Sequence, residues 1–218
     1  RVLSDFKIKP DAAPHVAIKE TTTREENVNA LMALLENARR AGVYTGLVLI
    51  LRCPYSSYLS QIEASREMWR EKKLTEVTEQ NFRLFARSLQ ERLYLICAAA
   101  RSQHYRIVSY EAFCRNPDSE TFRLMALFPE RLEAKQLRFA PPKGIAKGGD
   151  PKTVEKTGKI KVDSRDDQVE EVRKRFAGLP ATRFLDNMRA LVLERACIEP
   201  DHIVLDDLSR LLIQHQGN

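Results

Sequence analysis

The sequence lacks any apolar run approaching the roughly 18 residues that a bilayer-crossing helix requires. Its longest candidate, Gly46 to Leu51, is the size of a strand, so no membrane span is expected. Residues Arg1 to Pro10 are mixed and charged, without the apolar stretch of a signal peptide. A chain that begins at Arg1 is expected to be missing its natural start. Cysteine is scarce: Cys53, Cys97, Cys114 and Cys197 are widely spaced and form no CxxC pair. That disfavours a zinc site and points to reduced, buried thiols in a cytoplasmic protein. No GxxxxGK[ST] occurs, which counts against an ordinary P-loop kinase. The KTGK of Lys156 to Lys159 follows no strand and sits in no glycine-rich turn, so it is no substitute. Internal repeats are absent. Also missing is a basic face interleaved with aromatics, because Arg165-Asp-Asp and Glu170-Glu-Val-Arg-Lys-Arg175 mix the two signs as solvated helix faces do. Nucleic-acid binding is therefore disfavoured.

What is present fits one globular domain spanning 1–218. The 218 residues suffice for a well-buried core and are too few for two comfortable ones. Thirty-six basic residues against 30 acidic ones give a net charge of +6, which favours anionic ligands in general and selects none. His15-Val-Ala-Ile-Lys19 reads as a short buried strand. A helix should open near Thr23, with Thr23 as N-cap, acidic residues in its first turn, and Val28, Leu31, Met32 and Leu35 on one face. Gly42 stops it. Thr45 to Arg52 then reads as a central parallel strand, since it is a short continuous apolar run bounded by Gly and a Cys-Pro step. Strand, helix and strand in succession imply a parallel crossover.

Leu74 to Arg101 predicts a long amphipathic helix with Phe82, Phe85, Leu89, Leu93 and Ile96 inward. Tyr105 to Tyr110 predicts a further strand, and Asp118 to Phe128 a helix after Asn116-Pro117. Ala140 to Lys161 gathers glycines, prolines and lysines and reads as a loop that orders on a ligand. Helices follow over 163–218, marked by Val169, Val172 and Phe176, then Phe184, Leu185 and Met188, then Asp201 to Gln214 with Ile203, Leu208, Leu211 and Leu212 inward. The fold class is α/β: a central parallel sheet flanked by helices, with a helical C-terminal part.

The stretch from Leu47 to Ser60 carries the most chemistry. It sets an arginine at the carboxyl end of a buried strand, with a helix starting about two residues on. Ligands of open parallel sheets bind at such strand ends, where helix N-termini offer N–H groups to anions. Arg52 can present a forked donor to a phosphate, and Ser60 lies about two turns further. Equally, Arg52 can cap the strand in a surface ion pair with Ser60 solvated.

Arg52, Pro54 and Ser60, at this spacing, resemble the sulfotransferases that use 3′-phosphoadenosine 5′-phosphosulfate (PAPS). In that family an arginine after a central strand, usually an acidic residue and proline, and a serine eight positions on hold the 3′-phosphate; Cys53 is the departure here. Two later stretches match in order. The strand ending Ser109-Tyr110-Glu111-Ala-Phe before Asn116-Pro117 is similar to the family's Tyr-Glu-Asp-Leu, whose tyrosine lies against adenine. Lys147-Gly148-Gly149-Asp-Pro is similar to a late loop that closes over the nucleotide. The resemblance spans residues 15 to about 162 and implies a P-loop-nucleotide-kinase-like sulfotransferase fold. It further implies PAPS as donor and Arg52, Ser60, Tyr110, Lys147, Gly148 and Gly149 as its contacts.

The family's first loop, which holds the 5′-phosphosulfate, has no counterpart before His15. The base that takes the acceptor's proton follows the family's second strand, and here that position implies Glu20, with Lys19 stabilising charge beside it. Lys19 and Glu20 can also be a strand-end ion pair; Glu25 is the alternative base, and His15 reads as a core histidine. The resemblance thus implies in-line sulfuryl transfer to an acceptor hydroxyl or amine without a metal, the acceptor itself being illegible. Two other readings stay open: a P-loop-type nucleoside or sugar kinase, and a non-catalytic basic module binding nucleotides or nucleic acid.

Overall fold

The computed structural model describes residues 25–66, 75–127 and 165–215. Over these residues the chain is mostly helical, around a two-stranded parallel sheet. The expected strand at His15–Lys19, the N-cap Thr23 and the loop at 140–161 lie outside the described residues.

Helix α1 (Glu25–Arg40) ends where the sequence predicts. Gly42 takes φ +77°, a left-handed value that glycine adopts without a Cβ clash. Around it the Val43 N–H donates to Ala38 O and the Gly42 N–H to Arg39 O, the paired bonds of a Schellman stop. Strand β1 (Gly46–Leu51) follows, then α2 (Pro54–Ala64), α3 (Glu79–Ala100) and β2 (His104–Ser109). The strands pair in parallel, from Gly46 opposite His104 to Leu51 opposite Ser109, with α2 and α3 in the crossover. Thr78, rather than anything near Leu74, starts α3: its Oγ1 accepts the Asn81 N–H at 3.2 Å.

Two corrections concern the strands. β1 was expected to be buried on both faces, yet only Leu49 and Leu51 are covered, at 7% and 5% exposure, while Val48 and Ile50 stand 40% and 64% exposed. An apolar run does not reveal how many layers cover it, and the described helices over β1 cover a single face. Tyr110, expected to end β2, is instead the first residue of α4 (Tyr110–Arg115), because Ser109 Oγ accepts the Ala112 N–H at 3.3 Å and starts a helix there. Helix α5 (Pro117–Met125) begins on Asn116, whose side chain accepts the Ser119 N–H at 3.3 Å.

Helices α6 (Asp166–Arg175), α7 (Pro180–Ala190) and α8 (Asp201–His215) complete the described part, α7 running on into one π-helical turn at Leu191–Arg195. In α8 the buried face is Val204, Leu205, Leu208, Leu211 and Leu212, with Ile203 only half-buried, a small rotation from expectation. These helices build the core under α2. Phe82 of α3 stacks on Phe176 with centroids 4.5 Å apart and meets Tyr58 of α2 edge-on at 5.4 Å. Aromatic pairs of this kind add about 0.5–1.5 kcal/mol each beyond area burial. On the other side of β2, Asp201 of α8 takes Arg106 at 2.9 Å and Arg123 at 3.5 Å, and Arg123 also meets buried Glu120 at 3.2 Å. That network ties β2, α5 and the start of α8 together.

Candidate functional site

The parallel register sets the ends of β1 and β2 side by side, so Arg52 after Leu51 and Tyr110 after Ser109 become neighbours. The Arg52 guanidinium lies over the Tyr110 ring, 4.8 Å from its centroid, a contact worth about 0.5–2 kcal/mol according to its hydration. Two residues picked from distant stretches of sequence thus meet at the carboxyl edge of the sheet, where open parallel sheets take their ligands.

Cys53 precedes Pro54 and is pushed out of the helical region, to φ −47° and ψ 120°. Pro54 then opens α2, its fixed φ suiting the first helical position. The Cys53 side chain caps nothing. Its N–H instead donates to Glu111 Oε1 at 2.9 Å. Glu111, from the first turn of α4, does for α2 what a capping-box glutamate does within one helix. This amends the expectation that the α2 N-terminus holds its N–H groups open for an anion, since the first of them is taken by a carboxylate. Glu111 Oε2 is buried with no hydrogen-bond donor among the described residues. Burial, and then the Cys114 thiol one turn along α4, pushes the Tyr110 phenol above its ordinary value, with Arg52 pulling the other way. Burial likewise raises the Cys114 thiol.

Ser60, half-buried, is the seventh residue of α2, about 10 Å along the helix axis from the N-cap. The structure brings Arg52 and Tyr110 into contact and sets Ser60 on the helix that starts beside them. Lys19, Glu20, Lys147, Gly148 and Gly149 lie outside the described residues. Sequence reasoning assigned no role to Glu111. Its place directly after Tyr110 is the one local signal, and the bond to Cys53, 58 residues away in sequence, is a tertiary event.

A cavity of about 970 Å³ lies elsewhere, between the α6–α7 turn and the end of α8, where Arg173, Lys174, Arg183, Asp186 and His215 line it. The strand ends, by contrast, carry the arrangement that parallel sheets use for ligands. Among the described residues no three His, Cys, Asp or Glu side chains converge as a metal site, and no helix is long and apolar enough to cross a membrane. No family model, curated protein or solved structure matches the chain.

Proposed function

We propose that the chain is a PAPS-dependent sulfotransferase in which Arg52, Ser60 and Tyr110 hold the 3′-phosphoadenosine end of the donor. The supporting observation is the meeting of Arg52 and Tyr110 at adjacent parallel strand ends, 4.8 Å from guanidinium to ring. A guanidinium is a forked donor for a phosphate, and a tyrosine face is a platform for a base. When bound, the donor supplies an activated sulfuryl group. The chain's own residues then do the positioning: Arg52 and Ser60 bond the 3′-phosphate, Tyr110 fixes the base plane, and Lys147, Gly148 and Gly149 contribute N–H and ammonium donors. Glu111 ties the start of α2 to α4, which follows β2 directly, so that Arg52 stays at the strand end. Glu20 takes the acceptor's proton while Lys19 offsets charge on the moving group. Catalysis by positioning and electrostatics is what such a transfer requires, by analogy with phosphoryl transfer.

Calorimetry on the full chain tests this reading. 3′-Phosphoadenosine 5′-phosphate should bind more tightly than adenosine 5′-phosphate by about 1.5–3 kcal/mol, the worth of hydrogen bonds to a charged group. Arg52→Ala should erase most of that difference. Equal affinities in the wild type would remove the 3′-phosphate assignment and leave a generic nucleotide site of the kinase kind.

A further inference from the structure

The cavity of about 970 Å³ beside the α6–α7 turn has the dimensions of a small-molecule site and a biased set of charges. Its carboxylates are already engaged. Asp186 Oδ1 accepts from the Tyr55 hydroxyl at 2.9 Å and from Arg173 Nε at 2.8 Å, and Glu170 takes Arg173 Nη1 at 2.8 Å. Arg173 is thereby spent on the cavity's own wall. Two further cations, Lys174 and Arg183, face the same space, and among the described residues neither has an ion pair or a side-chain hydrogen bond.

The backbone adds to the same sign. Arg183 sits in the first turn of α7, whose N-terminus has no side-chain cap and no acidic residue in its first turn. A helix N-terminus carries partial positive charge, so a cation placed there is opposed unless an anion joins it. His215, at the end of α8, closes the wall with its ring edge against Phe184 at 5.5 Å. Burial first, and then Arg183, lowers its imidazole below the usual histidine value, which leaves it a neutral hydrogen-bonding group beside the cations.

We infer that this cleft binds the oxyanion of a small molecule, a phosphate or sulfate group seated between Lys174 and Arg183. Asn187 and Gln214, also on its wall, then face whatever the anion carries. The site is separate from the Arg52–Tyr110 junction and does not depend on how that junction is read.

The His215 ring reports on it directly. In the full chain, its proton resonances, assigned by loss in His215→Gln, are followed by NMR while inorganic phosphate is added in the millimolar range, with chloride at matched ionic strength as control. A saturable shift of the wild-type resonance that Arg183→Gln weakens at least several-fold, and Arg52→Ala leaves in place, is the expected result. Hexose phosphate and unphosphorylated hexose then separate the sources. Tighter saturation by the ester assigns the rest of the cleft to a carbon skeleton, and equal saturation assigns it to the free anion; both support the site. A response that chloride reproduces, that the neutral sugar reproduces, or that survives unchanged in Arg183→Gln overturns it. Because both Lys174 and Arg183 are exposed, their replacement leaves the core intact, and an unaltered far-UV spectrum checks that.

Discussion

Glu111→Ala removes the acceptor of the Cys53 N–H and with it the link between α4 and the first residue of the α2 turn. A hydrogen bond to a charged acceptor contributes about 1.5–3 kcal/mol, and the N–H left behind has little access to water because Cys53 is buried. Against this stands Glu111 Oε2, which is buried without a donor among the described residues, so that truncation also relieves a desolvated oxygen. The net loss should be about 1–2 kcal/mol. With a urea dependence of about 2–3 kcal/mol per molar for a chain of this size, the unfolding midpoint should fall by roughly 0.3–1 M. Glu111→Gln keeps an oxygen acceptor and should lose less than half as much. Equilibrium urea unfolding followed by circular dichroism reads both. An alanine variant with the wild-type midpoint would refute the capping role. A glutamine variant that falls as far as alanine would refute it too, since the charge rather than the acceptor would then matter.

Glu20→Gln should leave nucleotide affinity intact and lower sulfuryl transfer by roughly 10²–10⁴-fold, the worth of a general base; a wild-type rate moves that role to Glu25 or beyond. Gly46→Ala should destabilise by about 1–3 kcal/mol in thermal unfolding, because a Cβ there comes 2.7 Å from the Leu127 side chain, already buried. Burial pushes the Tyr58 phenol up to about 12. The neutral phenol is therefore favoured in the folded chain, and its contribution is whole below about pH 10, where an unfolded tyrosine begins to ionise, and is lost as pH rises toward 12. Stability measured from pH 9 to 12 should fall along that window, and Tyr58→Phe should flatten part of the fall.

Local chemistry made much of this architecture legible. Gly42 after an apolar-faced segment, Pro54 after Cys53 and Asn116 before Pro117 are boundary signals that work through φ and capping, and each marks a real end or start. Tyr110 was misplaced by one element because a Ser N-cap beside an aromatic also looks like the end of a strand. The single covered face of β1 was illegible for a different reason. Val48 and Ile50 are as apolar as Leu49 and Leu51, and only the layers around them tell the two pairs apart. Arg52 and Tyr110 came from a motif resemblance, and the register of β1 on β2 accounts for their contact. Glu111 and the Tyr55–Asp186–Arg173 chain needed the fold, since each bond closes between segments that no local pattern relates.

The stack of Phe82 on Phe176 has a bearing on how the chain is made. Tyr58 and Phe82 leave the ribosome long before Phe176, which lies beyond α5 and residues 128–164. At about 5–20 residues per second, α3 waits roughly 5–20 s with its aromatic face uncovered. During that interval the nascent chain carries a sticky surface that its own later part will cover. Ribosome-bound chains stopped before Phe176 should therefore be the forms that holding chaperones retain, and chains extended past His215 the forms that they release.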